Sequence, residues 1–71
     1  MIRNDDLIRL GELSIKMLEG RAAECRFHIA KLELMGLSTD YWSNLLIETE
    51  WTAEVNRREL DLIRKGIQEH E

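Results

Sequence analysis

Residues 32–42, LELMGLSTDYW, contain the one break in this 71-residue chain that behaves as a turn. Gly36 can adopt the left-handed conformation that ends many helices, and Leu37 just beyond it can fold back on Leu32 as the apolar part of a Schellman cap. Ser38 reads as the N-cap of a second helix, which places Leu37 and Trp42 as a hydrophobic staple. One residue thereby serves two helix ends, and the chain is expected to reverse here.

Outward from this turn run two apolar seams at alternating spacings of three and four, the signature of helices that bury one face. The first is Ile8, Gly11, Ile15, Leu18, Ala22, Cys25, Ile29 and Leu32; the second is Trp42, Leu46, Thr49, Ala53, Asn56, Leu60, Ile63 and Ile67. Folded at Leu37, they meet layer by layer, from Leu32 with Trp42 to Ile8 with Ile67. The midpoint of that pairing coincides with the turn that the cap residues select independently. The fold class is therefore all-α: an antiparallel hairpin of two long helices, about 4–35 and 39–68, forming a single domain over 1–71.

Asn4 is placed to cap the first helix, with Asp5 and Asp6 in its first turn. Pairs four apart, Asp5 with Arg9, Glu12 with Lys16, Glu54 with Arg58 and Asp61 with Lys65, have the order that supports a helix. Gly11 is expected to face Ile63 across the seam, where a missing side chain lets the helices approach. Gly20 has no such reason in the sequence.

A chain this short buries a small fraction of its surface and usually needs staples or a partner. Cys25 is the only cysteine, so no internal disulfide is available, and a reducing cytoplasmic setting is expected. No segment approaches the roughly eighteen apolar residues of a membrane span, and the opening MIRNDDLIRLGE lacks the apolar core of a signal peptide. The net charge of -4 lies entirely in the second half: residues 1–36 carry six acids and six bases, residues 37–71 eight acids and four bases. That balance disfavours a nucleic-acid partner, which calls for a basic stripe.

Both helices carry more apolar surface than a lone hairpin needs. The first has a second stripe at Leu10, Leu13, Met17, Phe27 and Leu34; the second adds Tyr41, Leu45, Ile47, Trp51, Val55 and Leu62. Leaving half a dozen such side chains wet forgoes on the order of 10 kcal/mol at about 1.5–3 kcal/mol each. Self-association is expected, most simply a homodimer forming a four-helix bundle with helix 1 inside, or a larger helical oligomer. An aromatic patch at Tyr41, Trp42 or Trp51 is expected to stay uncovered for a second protein.

Candidate chemistry is sparse. Glu24, Cys25 and His28 have helical spacing for a metal or redox site, but too few ligands, so no metal or cofactor is expected. Cys25 lies in the seam and reads as a small core residue. Asn56 and Thr49 are polar positions in the second seam; in a dimer Asn56 can fix register by pairing with its own copy or with Ser14, and the alternative is that this layer forms a small polar pocket. Arg57, Arg58, Arg64 and Lys65 form the only basic cluster, interrupted by acids, and offer a nucleic-acid or phosphorylated-ligand site as the alternative reading. In outline, a dimer of such hairpins resembles the repressor-of-primer proteins, which bind paired RNA loops; the resemblance is one of shape, and no residue motif carries it. No catalytic constellation is present, so the chain reads as a non-catalytic interaction module. The expectation is a small acidic regulator or inhibitor that docks on another macromolecule, as small helical proteins of microbes and their phages often do.

Overall fold

A computed structural model describes the backbone of residues 4–69 and the side chains of residues 4–66. Two helices, α1 (Asn4–Leu34) and α2 (Asp40–Glu69), lie against each other in a body of 57 × 16 × 15 Å. Cross-hairpin contacts join Arg26 to Glu50, Glu19 to Arg57 and Glu12 to Arg64, so the helices run antiparallel. Among the described residues no helix is long and apolar enough to cross a membrane.

The turn forms as its residues require. Gly36 has φ +70°, and the Leu37 N–H donates to the Leu32 carbonyl at 2.9 Å while the Gly36 N–H donates to Glu33 at 3.1 Å. These two bonds are the Schellman pair, and they satisfy carbonyls that the end of α1 would otherwise leave open. The start of α2 differs by one residue from expectation. Ser38 Oγ accepts from the Asp40 N–H at 3.3 Å, but the first helical bond runs from Ser43 N–H to the Thr39 carbonyl at 2.8 Å. Thr39 is thus the last residue before the helix, and Ser38 is one step outside it. That shift moves Trp42 off the staple position, and Leu37 stays 53% exposed. Asn4 is itself helical, so its side chain does not stand before the helix as a cap.

Every described seam residue is buried or half-buried; the expected partner of Ile8, Ile67, lies outside the described side chains. The core itself is small. Ala22, Cys25, Thr49, Ala53 and Leu60 are the buried residues, and four of those five side chains are short. Two consecutive layers, Cys25 with Thr49 and Ala22 with Ala53, form a waist of small residues, flanked by larger ones that one hairpin only half covers. Leu60 is the one large aliphatic side chain in the buried set. It also corrects the expected partner of Gly11: a Cβ added there would meet Leu60 Cδ1 at 3.0 Å. Gly11 therefore makes room for Leu60, not for Ile63.

Candidate interaction surface

The helical repeat that buries the seams sends every third or fourth residue between them to the opposite side. On α1 this back carries Leu10, Leu13, Met17, Phe27 and Leu34, from 52% exposed at Leu13 to 90% at Leu34. On α2 Tyr41, Ile47, Trp51 and Leu62 are each about two-thirds exposed or more. Trp51 and Ile47, one turn apart, line a shallow depression with Glu48 and Thr52. Of the expected surface residues, three behave differently, and Leu45 is one of them, half-buried. Val55 is half-buried at the edge of the seam. Trp42 is also half-buried, its ring stacked on His28 with centroids 4.0 Å apart and planes 17° apart. It belongs to the hairpin's own packing and is not part of the uncovered aromatic patch. Tyr41 meets it edge-on at 5.3 Å and faces outward.

One flank of the seam carries a ladder of ion pairs. Arg26 reaches Glu50 at 2.9 Å, Arg57 reaches Glu19 at 3.2 Å and Arg64 reaches Glu12 at 3.3 Å. The members recur every seven residues on each helix, at 12, 19 and 26 and at 50, 57 and 64, which keeps one register along the ladder. All six side chains are about half exposed, so each pair contributes at most about 1 kcal/mol. Their effect is on register: a slip of seven residues brings Arg26 toward Arg57 in one direction or Glu19 toward Glu50 in the other, and leaves a single Glu–Arg pair in place of three. The ladder was missed in the sequence because short-range pairing of four residues was favoured over a seven-residue repeat flanking the seam. Of the four expected helical pairs, Glu54–Arg58 forms at 3.3 Å. Glu12 turns instead to Arg64 across the hairpin, and Asp61 also pairs with Arg64, at 3.8 Å.

This ladder absorbs much of the basic cluster. Arg57 touches Glu19 and Glu54, Arg58 touches Glu54, and Arg64 touches Glu12 and Asp61. Arg57 and Arg64 line one depression together with Glu12 and Asp61, so the region is a mixed-charge face. A phosphate arriving there has to displace carboxylates already in place.

The polar layer is resolved inside one hairpin. Asn56 Nδ2 donates to Ser14 Oγ at 3.1 Å, and the buried Thr49 hydroxyl donates to the Leu45 carbonyl at 2.7 Å. This bond joins α2 to α1 within one hairpin, where the expectation was a pairing in a dimer. Among the described residues no buried side-chain N or O lacks a hydrogen-bond partner. Replacing Asn56 by Leu alone strands the Ser14 hydroxyl, whereas Ser14→Ala with Asn56→Leu removes both ends together. Urea titration is expected to rank the double variant as at least as stable as the wild type, and the single variant about 1 kcal/mol or more below the double.

Glu24, Cys25 and His28 do not form a site. Cys25 is fully buried in the waist, whereas Glu24 and His28 approach each other at 3.8 Å on the outer side. Among the described residues no three His, Cys, Asp or Glu side chains gather as a metal-holding group. His28 packs between the Phe27 edge, 5.6 Å away, and the Trp42 face. Comparison of the chain with protein-family models, curated proteins and solved structures finds no match.

Proposed function

We propose that the chain is a non-catalytic interaction module that self-associates as helical hairpins and, in that form, docks on another macromolecule as a small regulator or inhibitor. The observation that carries the reading is the area left uncovered. The hairpin exposes 5878 Å², whereas a compact monomer of 8.4 kDa has roughly 4,600 Å². The excess, about 1,300 Å², is larger than the ~800 Å² that each partner contributes to a standard protein interface. Large apolar side chains stand exposed on the backs of both helices.

The two backs differ in chemistry, which suggests two uses. That of α1 carries Leu10, Leu13 and Met17 before Gly20 and Phe27 and Leu34 after it, and suits a second copy. That of α2 sets Tyr41, Ile47 and Trp51 among Asp40, Glu48 and Glu54, an aromatic patch with acidic neighbours, and suits a basic protein surface. The nucleic-acid alternative is weakened by the engagement of Arg57, Arg58 and Arg64 with carboxylates.

Sedimentation equilibrium at micromolar concentration tests the first half: a mass above that of one chain is expected, and a well-folded monomer would sink the reading. For the second half, Trp51→Ala is expected to abolish binding of a basic target while leaving the assembled mass unchanged. Salt-sensitive retention of RNA by the wild type would favour the alternative.

A further inference from the structure

The two flanks of the seam are unlike each other. The ladder flank carries six charged side chains, all about half exposed and all paired, and a second hairpin laid on it has to desolvate them. Ser14 and His28, whose side chains reach Asn56 and Trp42 on α2, mark the other flank. Among the described residues no ion pair crosses the hairpin there. The seven-residue repeat adds Leu45 and Gly66 of α2 to it. All four of these residues are half-buried although none belongs to the seam.

The next row outward on this second flank is graded along the hairpin. Toward the open end it is apolar, with Leu10 and Met17 on α1 and Val55 and Leu62 on α2; Glu59 is the one charge beside them. Toward the turn it is charged, with Glu24 and Lys31 on α1 and Glu48 on α2, and Arg21 next to them. Arg21, Lys31 and Glu48 make no ion pair among the described residues.

We propose that a second copy of this chain covers this flank with the same flank of its own, turn beside turn, about a two-fold axis that runs along the helices. Each α1 then lies antiparallel on the partner's α2, and the four helices make one bundle. An axis in that direction keeps every residue at its own level. Leu10 therefore comes against the partner's Leu62, and Met17 against the partner's Val55, each contact occurring twice. Glu59 comes level with the partner's Ser14. Nearer the turn, Glu24 and the partner's Glu48 share a level between Arg21 and Lys31, so each junction holds two acids and two bases, with His28 beside Glu24. Turns at opposite ends would instead lay α1 on the partner's α1 and set Leu10 and Met17 against Arg21, Glu24 and Lys31, apolar on charged. The flank of a body 57 Å long and 16 Å wide is large enough for the ~800 Å² that each partner gives to a standard interface. The arrangement rests on the self-association proposed above and adds its face and direction. Of the α1 back it covers the side next to this flank, and Ile47 and Trp51 stay uncovered on the outer side of α2.

Pulsed electron paramagnetic resonance reads the direction, from a nitroxide on Glu33→Cys with the buried Cys25 changed to Ala. Glu33 is exposed and stands about fourteen residues from the middle of Asn4–Leu34, so turns at opposite ends separate the two labels by about 40 Å or more. Turn beside turn brings them within about 30 Å, the width of four packed helices with a label on either side. Sedimentation equilibrium reads the face without any label. Met17→Lys and Leu62→Lys are each expected to weaken association about tenfold or more, whereas Leu13→Lys, also at an exposed position but on the outer side of α1, is expected to leave it unchanged. A label separation of 40 Å or more overturns the direction. Association that Leu13→Lys weakens as much as Met17→Lys and Leu62→Lys, or that those two leave intact, overturns the face. Both results leave self-association standing, and a folded wild-type monomer overturns that as well.

Discussion

Leu60→Ala is expected to leave the chain largely unfolded at modest urea concentrations, with loss of helical circular dichroism as the measurement. A buried Leu→Ala change costs about 2–5 kcal/mol, more where the site cannot collapse around the void. Here collapse is blocked on one side, because the residue opposite the Leu60 methyl is Gly11, which has no side chain to move in. At about 0.05–0.15 kcal/mol per residue, a chain of this length has only ~4–10 kcal/mol of stability to lose. Adding Gly11→Ala to Leu60→Ala is expected to recover part of the loss, since the new methyl group enters the space that Leu60 vacates. In the wild type the same Gly11→Ala change meets Leu60 Cδ1 at 3.0 Å, so its benefit there is limited by the shift that Leu60 must make.

Ala53→Leu is the second change with a large expected effect, of the opposite kind. Ala53, Ala22, Cys25 and Thr49 are all buried at the waist, so three added carbons at Ala53 press on neighbours that are already packed. Overpacking typically costs about 1–3 kcal/mol. The cost should lie at or above the top of that range because separating the helices at the waist also stretches Arg26–Glu50 and Arg57–Glu19, one on each side of it. Thermal melts should show a drop in midpoint far beyond that caused by Thr52→Leu, one position away but exposed. Equal midpoints for the two variants would contradict a tightly packed waist.

The fold was legible because independent signals met at one place. Gly36 and Leu37 placed the turn, and two seams of small period lined up across it. Each signal is local, and local signals survive in a hairpin whose long-range contacts all follow from one reversal of direction. Boundaries shifted by a residue at Ser38 and Thr39, where two adjacent hydroxyl residues can each serve the first turn of a helix. The site was less legible. The exposed backs of α1 and α2 were readable as surplus apolar surface, but the ion-pair ladder was not, since Glu12 and Asp61 each had a correctly spaced basic residue on its own helix. Trp42 was ambiguous for a similar reason: an aromatic next to a turn can anchor a partner or cover its own hairpin, and only the face of His28 decides between them.

The Schellman turn at Gly36 also governs the order of events in folding. Every cross-hairpin contact closes a loop that contains this turn, so the loop that costs least entropy to close is the one nearest it, between Leu32 and Trp42. Structure can then grow outward one layer at a time, through the waist and on to Leu60, each step adding little further loop entropy. Changes near the turn should accordingly slow folding, whereas changes at Leu60 and beyond should act on the unfolding rate. Opening runs in reverse, beginning at the ends farthest from Gly36, so the back of α1 around Phe27 and Leu34 keeps its shape after the far end of the hairpin has separated.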